Sequence, residues 1–237
     1  MTRIAFASDL HEQLPVITKE LNIDRLVLAG DISNGWPDTL LKEERFWIKR
    51  FEPWSKQVRD SGIKLVGIPG NHDFFPQVCR GSFRRVQSMF DIYVTNARIV
   101  MDGLTYIFFC YNQLEEFAYY ADAAEMVRMT NNHTDNIETD FVVTHSPAYN
   151  ILSGKADWGV PAIRDMVHRI RPKVAHIFGH VHTCRGYMEM HGVHHRNVAY
   201  CKGKIDEVWG DIDIYDSELG LFETVKVKTD FVGKGSY

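Results

Sequence analysis

The stretch that decides the fold is residues 63–73, which read Ile-Lys-Leu-Val-Gly-Ile-Pro-Gly-Asn-His-Asp. Its first half is a short aliphatic run, which is typical of a strand buried on both faces of a sheet. Its second half is a tight turn that carries an amide, an imidazole and a carboxylate. Side chains of these types bind metal ions and transfer protons. The stretch therefore predicts a buried strand that delivers polar groups to one end of a sheet.

The same pattern occurs four more times along the chain. The aliphatic runs at 3–8, 25–29, 141–144 and 173–178 each end in a loop with candidate ligands, namely Asp9 and His11, Asp31, His145, and His180 and His182. Loops at the carboxyl ends of parallel strands meet in one crevice. One such loop alone is usually an ordinary polar turn, but five in matching positions predict one shared site. Gly30, Gly70 and Gly179 directly precede ligands, and we expect them to allow the sharp turns through positive φ.

The remaining patterns predict an α/β fold in one domain over residues 1–237. Residues 104–110 indicate another strand, 162–170 a helix, and 38–61 a helix that Pro53 should kink or split. Residues 211–215 and 223–228 alternate apolar and polar side chains, as one-sided antiparallel strands do. We therefore expect a four-layer α/β/β/α sandwich of two mixed sheets flanked by helices. The polar stretch 112–140 is expected to be a surface excursion or a cap over the site.

The composition excludes several classes of protein. The chain has 237 residues, 45% of them hydrophobic, and a net charge of −4, so it should fold, and general nucleic-acid binding is not expected. Its 4 cysteines contain no CxxC pair, which argues against a zinc knuckle or a thioredoxin-type site. The apolar run before Asp9 is shorter than a signal peptide requires, and no membrane span is visible. We expect a cytoplasmic protein that does not bind membranes.

The order D-x-H, GD, GNHD, H and GHxH resembles that of the calcineurin-like metallophosphoesterases, and it spans residues 9–182. The resemblance implies the metallophosphoesterase fold and two divalent metal ions. It implies that Asp9, His11 and His182 bind one ion, that Asn71, His145 and His180 bind the other, and that Asp31 bridges the two. It also implies that His72 is a catalytic histidine outside the ligand set. Mn²⁺ is the ion expected first, and Fe, Zn and Ni are the alternatives.

The chemistry of these residues agrees with that assignment. Mixed imidazole, carboxylate and amide ligands suit first-row divalent ions better than Mg²⁺ or Ca²⁺. Two such ions bring four positive charges and Asp9 and Asp31 return two negative ones, so the centre attracts an anion. We expect hydrolysis of a phosphate ester by a metal-bridging hydroxide, with His72 assisting the leaving group. Asp73 or a backbone carbonyl would orient His72, and Asn71, His72 and Arg80 are the candidate substrate contacts.

A narrower resemblance concerns the substrate. Thr144-His145-Ser146-Pro147 and Trp158-Gly159 resemble the class III cyclic-nucleotide phosphodiesterase-like branch of the family. This resemblance favours a small phosphodiester, a nucleotide among them, over a phosphomonoester. A metal-dependent nuclease and a non-catalytic scaffold on the same fold remain as alternatives, while the oligomeric state stays undetermined. Four aromatic residues near the motifs are expected to pack, although they could stack on a base: Trp36, Phe74, Phe75 and Tyr119.

The other histidines predict no second metal site. His168 falls on the predicted helix 162–170 and His176 within a predicted strand, so both are expected to pack or to lie at the surface. His191, His194 and His195 follow no standard ligand spacing, and neighbouring residues of a strand point to opposite faces.

Overall fold

The computed structural model describes residues 2–133, 137–200 and 208–230 of the chain. The strands are β1 (Arg3–Ala7), β2 (Leu14–Pro15), β3 (Arg25–Ala29), β4 (Lys64–Ile68), β5 (Ile92–Tyr93), β6 (Asn96–Met101), β7 (Leu104–Phe109), β8 (Phe141–Thr144), β9 (Ala175–Phe178), β10 (Gly186–Met190), β11 (Val193–Asn197), β12 (Trp209–Asp216) and β13 (Leu221–Asp230). The helices are α1 (Leu40–Phe46), α2 (Glu52–Asp60), α3 (Phe75–Val78), α4 (Arg80–Gln87), α5 (Ala123–Asn131) and α6 (Pro161–Ile170).

The strands form two mixed sheets. The first has the order β2-β13-β12-β1-β3-β4-β5 and the second the order β10-β11-β9-β8-β7-β6. In the first sheet β1, β3 and β4 run parallel, and in the second β7, β8 and β9 do. These buried parallel strands are the aliphatic runs of the sequence. β12 pairs antiparallel with both β1 and β13, as the alternating C-terminal segments predicted.

Three hydrophobic clusters separate four layers. One joins the first sheet to α1, α2 and α4 through side chains such as Trp47 and Val86, and another joins the second sheet to α5 and α6 through Met126 and Met166. The third lies between the sheets and includes Phe6 and Phe141. The predicted α/β/β/α sandwich of two mixed sheets is confirmed. Among the described residues, no helix is long and apolar enough to cross a membrane.

The helical stretch around Pro53 is neither split nor ended by the proline. A π-helical segment, Trp47–Phe51, connects α1 to α2 directly, and Pro53 lies in the first turn of α2. A proline has no backbone N–H to donate to the preceding turn, and a wider π turn accommodates that missing hydrogen bond. The helix therefore continues through Pro53 without the break that the sequence predicted as one possibility.

The stretch 112–140 divides into two described parts. Its beginning carries Leu114 and Phe117, which line a groove at the ends of the central strands. Its middle forms α5, which the polar composition did not predict. Met126 and Met129 of α5 are buried against the second sheet. Residues 134–136 of this stretch lie outside the described residues.

Candidate metal centre

The ligand loops follow the carboxyl ends of five strands taken from both sheets. β1, β3 and β4 of the first sheet lead into the loops with Asp9, Asp31 and Asn71, while β8 and β9 of the second lead into those with His145 and His180. Several ligands have a left-handed backbone conformation, with φ of 55° at Asp9, 43° at His11, 52° at Asp31 and 70° at His180. Residues other than glycine rarely adopt this conformation, and such strain concentrates at functional sites.

The glycines before the ligands serve two different purposes. Gly30 has φ of +95°, as expected from its place in a sharp turn. Gly70 and Gly179 do not have positive φ, so the predicted reason for them is wrong. A Cβ atom on Gly70 would overlap the Asp31 carboxylate, and one on Gly179 would overlap the Asp9 carboxylate. These two glycines are required because the ligand loops pack against each other with no space for a side chain.

Asp9, His11 and His182 form the first ligand group, and their ligand atoms all lie within 4.8 Å of one another. The Nε2 atoms of His11 and His182 are 3.0 Å apart, and Nε2 of His182 is 3.3 Å from Oδ1 of Asp9. Two nitrogens that bind one ion at about 2.1 Å and at a right angle are separated by about 3 Å. The Asp9 carboxylate also accepts hydrogen bonds from the backbone N–H of His180, which ties the two sheets together.

The second ligand group contains Asp31, His145 and His180, again within 4.8 Å. Nδ1 of His145 donates to the carbonyl of Ala29 at 2.9 Å, so the lone pair of the neutral ring is on Nε2. That Nε2 faces Oδ1 of Asn71 at 2.8 Å and Oδ1 of Asp31 at 3.4 Å. Three acceptor atoms that face one another require a cation or a shared proton between them. This donor set fits a divalent metal ion.

Asp31 lies between the two groups. Its Oδ1 is the oxygen near His145, and its Oδ2 is 3.8 Å from Nε2 of His11 in the other group. Oδ1 also accepts a hydrogen bond from the backbone N–H of His72 at 2.8 Å, which fixes the carboxylate orientation. A carboxylate placed this way can offer one oxygen to each of two ions.

Two of the four histidine ligands, His11 and His180, are neutral in the metal-free protein, while the pKa of the other two, His145 and His182, is raised by the neighbouring carboxylates. Burial lowers the pKa of His11 and of His180 to about 4, so both rings are neutral at neutral pH. At His145 burial would also lower the pKa, but the Asp31 carboxylate outweighs burial and raises it to about 9. Burial would raise the pKa of Asp9, yet the hydrogen bond to His182 lowers it to about 2. A metal ion would replace the proton that His145 holds, because ligand imidazoles must be neutral.

His72 is held beside the two groups by a backbone carbonyl. Its Nδ1 donates to the carbonyl of Gly35 at 3.0 Å, and the backbone N–H of Gly35 donates back to the carbonyl of His72 at 2.9 Å. The second ring nitrogen, Nε2, is thereby left for a substrate. Rings of Trp36 and Phe117 pack edge-on against His72, with centroids 4.9 and 5.2 Å away.

Asp73 does not orient His72, although it was one of the two groups expected to do so. Its carboxylate accepts hydrogen bonds from the backbone N–H groups of Gly70 and Ser33 and from the Ser33 hydroxyl. It fixes the loops after β3 and β4 to each other. The structure thus places Asp73, expected as a catalytic residue, between these two loops, while Nδ1 of His72 faces the Gly35 carbonyl.

The buried Glu43 extends this network. Its Oε1 accepts a hydrogen bond from the Trp47 indole and lies 2.7 Å from the Ser33 hydroxyl oxygen, and its Oε2 accepts one from the backbone N–H of Phe75. Burial, followed by the charge of Asp73, raises the pKa of Glu43 to about 7. Burial and then Asp31 raise the pKa of Asp73 to about 6. The sequence patterns gave no sign of Glu43, because it lies on a helix between surface residues.

A groove of about 400 Å³ opens over the centre. Its described lining includes Asp31, Asn71, His72, His180 and His182, together with Leu114, Phe117, Trp158, Val181 and Thr183. Arg80, expected to contact the substrate, is exposed at the start of α4 and does not belong to this described lining. Phe75 and Tyr119 are buried in the core and Phe74 packs against it, while Trp36 reaches the site. Phe117 and Leu114 were missed because they lie in a stretch without periodicity.

Comparisons with known proteins agree with this geometry. The sequence model of the calcineurin-like phosphoesterase family matches residues 2–184. UPF0046 protein K07C11.7 of Caenorhabditis elegans is 28% identical over 209 residues, which cover 84% of this chain and 70% of that protein. The crystal structure of TT1561 of Thermus thermophilus aligns with a TM-score of 0.61 at 11% identity, covering 94% of this chain and 98% of that one. Another solved structure aligns with a TM-score of 0.71 at 14% identity over 94% of this chain and 98% of that one. These two structures support the fold alone.

Proposed function

The chain belongs to the calcineurin-like phosphoesterase family, and from this premise we propose that it is a dinuclear metal-dependent phosphodiesterase. The observation that carries the proposal is the pair of ligand groups joined by Asp31, whose two oxygens face Nε2 of His11 at 3.8 Å and Nε2 of His145 at 3.4 Å. Bound there, two divalent ions would supply positive charge for the phosphoryl oxygens and lower the pKa of an attacking water.

The residues of the chain supply the rest of the reaction. Asp9 and Asp31 are carboxylates buried to 0% and 1% exposure, and their hydrogen bonds to backbone N–H groups hold them in place for two ions. Asn71 contributes its amide oxygen beside His145. His72, whose Nδ1 faces the Gly35 carbonyl, would present Nε2 to the leaving oxygen as the proton donor. Asn71 and His72 both line the groove and are the proposed substrate contacts.

The groove favours a diester over a monoester. Its described lining contains no Lys or Arg, which a dianionic monoester would need for additional charge compensation. It does contain Phe117, Trp158 and Leu114, which can accommodate the second organic group of a diester. The exposed Trp36 beside His72 offers a further flat surface on the leaving-group side, where an aryl or nucleobase group could stack. A small diester such as a nucleotide is the proposed substrate class.

We expect Mn²⁺ to give the highest activity, with Fe, Zn or Ni as the alternatives. Nitrogen-rich ligand sets of this kind bind all four ions, so metal analysis and activation assays must decide. A cytoplasmic location is part of the proposal and is supported by Cys79, Cys110 and Cys184, which are free thiols in the described part of the chain.

The test compares bis-p-nitrophenyl phosphate with p-nitrophenyl phosphate, with and without Mn²⁺. The proposal expects metal-dependent turnover with the diester preferred. The variant His72→Ala should keep both ions and lose about 10²–10⁴-fold in kcat, because it removes the proton donor. The variant His145→Ala should instead lose metal.

Each other outcome identifies a different function. Full activity of metal-loaded His72→Ala would exclude the acid role of His72. A chain that binds metal and turns over neither ester would be a scaffold. Turnover of nucleic acid with a steep salt dependence would indicate a nuclease.

A further inference from the structure

A second group of histidines lies under the second sheet, away from the metal centre. His168 comes from α6, His191 from the turn between β10 and β11, His195 from β11 and His176 from β9. His176 and His195 are both 0% exposed. Buried imidazoles ordinarily have a hydrogen-bond partner on each nitrogen. Within the described part of the chain, neither Nε2 of His195 nor Nε2 of His168 has a hydrogen-bond partner, although both atoms are buried.

The hydrogen-bond chain fixes which nitrogen of His195 carries its proton. The hydroxyl of Thr144 donates to the carbonyl of Ser146 at 2.6 Å, so its oxygen must accept from Nε2 of His176 at 2.9 Å. In the neutral ring that full burial favours, Nδ1 of His176 is then an acceptor. It faces Nδ1 of His195 at 3.1 Å, which must therefore donate.

Consequently, Nε2 of His195 presents a bare lone pair inside the protein. This arrangement is the one found around metal-bound histidines, where a partner on one ring nitrogen fixes the other as the ligand. His176 is that partner here. The chain of three groups holds the His195 ring in a single tautomer and orientation.

The rings of His168 and His191 are arranged like one pair of rings in the dinuclear centre, but the ligand atoms of His168, His191 and His195 do not all lie within 4.8 Å of one another, so the His191 ring would have to turn for all three to bind one ion. The ring centroids of His168 and His191 are 5.1 Å apart at an interplanar angle of 79°. The corresponding values for His145 and His180, which belong to one ligand group, are 5.2 Å and 77°. The His195 ring is 6.5 Å from that of His168. His191 is exposed at the tip of the hairpin, so its ring can turn toward an ion without displacing the core.

We propose that His168, His191 and His195 form an additional binding site for a first-row transition metal ion such as Zn²⁺, Co²⁺, Ni²⁺ or Cu²⁺. Three neutral imidazoles suit these ions and not Mg²⁺ or Ca²⁺. The spacing of the histidines along the sequence did not predict the site because His168 comes from α6, which only the fold brings next to the hairpin.

The test is a titration of the metal-stripped full chain with Co²⁺, followed by equilibrium dialysis, metal analysis and visible absorption. The wild type should bind about one equivalent more than His191→Ala, because that variant removes one of three ligands. His194→Ala is the matched control, since His194 lies on the same hairpin and its ring contacts the Tyr187 hydroxyl instead. It should bind as much Co²⁺ as the wild type.

Equal Co²⁺ binding by the wild type and His191→Ala would overturn the proposal and would mean that water molecules, rather than a metal ion, satisfy the histidine lone pairs. A loss of the extra equivalent in His194→Ala as well would overturn it, because it would indicate adventitious surface binding. The variant His145→Ala separates this site from the proposed function. It should lose Co²⁺ from the dinuclear centre and keep the His191-dependent equivalent. If the dinuclear centre is wrong, His145→Ala will have no effect while the difference between wild type and His191→Ala persists.

Discussion

At the scale of single residues, the geometry of the site depends on how closely the ligand loops pack against one another. Asp9, Asp31 and His180 adopt left-handed backbone conformations that cost free energy, and the neighbouring loops hold them there through hydrogen bonds such as that from Asp9 N–H to the Gly30 carbonyl at 2.9 Å. The contacts leave no space for a Cβ at Gly70 or Gly179. Metal affinity should therefore be sensitive to a single methyl group.

The variant Gly179→Ala tests this sensitivity. Its Cβ would overlap the Asp9 carboxylate and the Ser8 hydroxyl, so we expect Asp9 to move and metal affinity to fall about 10- to 100-fold. Isothermal titration of the metal-stripped protein measures the change. Gly81→Ala is the control, because a Cβ there is 3.6 Å from Cys79 Sγ, an ordinary contact. Unchanged metal affinity in Gly179→Ala would contradict the close approach.

Which of these residues the sequence could predict depends on local pattern. The seven candidate ligands all come soon after aliphatic runs, so the sequence could predict that they meet at one end of the sheets. They are Asp9, His11, Asp31, Asn71, His145, His180 and His182. The contacts of Phe117 and Gly35 with His72 could not be predicted, because both residues lie in loops without a regular sequence pattern. The sequence also could not decide whether Asp73 or a backbone carbonyl orients His72, because this depends on the direction in which the side chains point.

At the scale of elements, the helix α5 was not predicted because its sequence is mostly polar. Its buried residues are Met126, Met129 and Thr130, whereas the apolar Val127 is exposed, so the sequence shows no clear apolar face. The helix is stabilised at its start by Asp122, whose Oδ1 accepts a hydrogen bond from the backbone N–H of Glu125 at 2.8 Å. The β10–β11 hairpin and β6 were likewise not assigned from the sequence, because their strands are partly exposed and lack aliphatic runs.

We expect Asp122→Ala to lower the free energy of unfolding by about 1 kcal/mol, since it removes the side-chain cap of α5. Urea unfolding followed by circular dichroism measures the change. Asp165→Ala is the control on α6, where the exposed carboxylate forms an ion pair with the neighbouring Arg164 and should contribute little. Equal effects of both variants would show that α5 does not depend on its cap.

At the scale of the whole molecule, each ligand group takes residues from both sheets. In the first group, Asp9 and His11 follow β1 of the first sheet, and His182 follows β9 of the second. In the second group, Asp31 and Asn71 come from the first sheet, and they meet His145 and His180 from the second. An ion that binds only the folded chain stabilises it in proportion to its occupancy, by about 2.7 kcal/mol at a hundredfold excess over Kd.

Removal of metal should therefore lower the melting temperature, and the decrease should depend on the concentration of free ion. Differential scanning calorimetry with buffered Mn²⁺ measures it. His72→Ala should keep the full dependence, because His72 is not a ligand, whereas His145→Ala should lose much of it. A melting temperature that does not respond to Mn²⁺ would contradict metal bridging of the sheets.

The stability of the metal-free protein should also depend on pH through Glu43. Its pKa is raised from 4.5 to about 7, so the native state keeps a proton that the unfolded state releases above about pH 4.5. The contribution of Glu43 to the free energy of unfolding must then decrease as pH rises from about 4.5 to about 7, by at most about 3 kcal/mol. Glu43→Gln does not titrate and should lack this decrease.

Urea unfolding of the wild type and Glu43→Gln at pH 5 and pH 7.5 measures the contribution of Glu43 together with its effect on Asp73, whose charge raises the pKa of Glu43. The stability of the wild type relative to the variant should be lower at pH 7.5 than at pH 5. A difference that is the same at both pH values would mean that Glu43 is ionised across the range.

Because each ligand group spans the sheet interface, scarcity of transition metals in the cell would affect more than catalysis. A chain synthesised without ions would offset the Asp31 carboxylate with the protonated His145 ring instead of a divalent ion, and the loops at the strand ends would be held together less strongly. Proteases would cut those loops first. The amount of intact protein, as well as its activity, would then follow the metal supply.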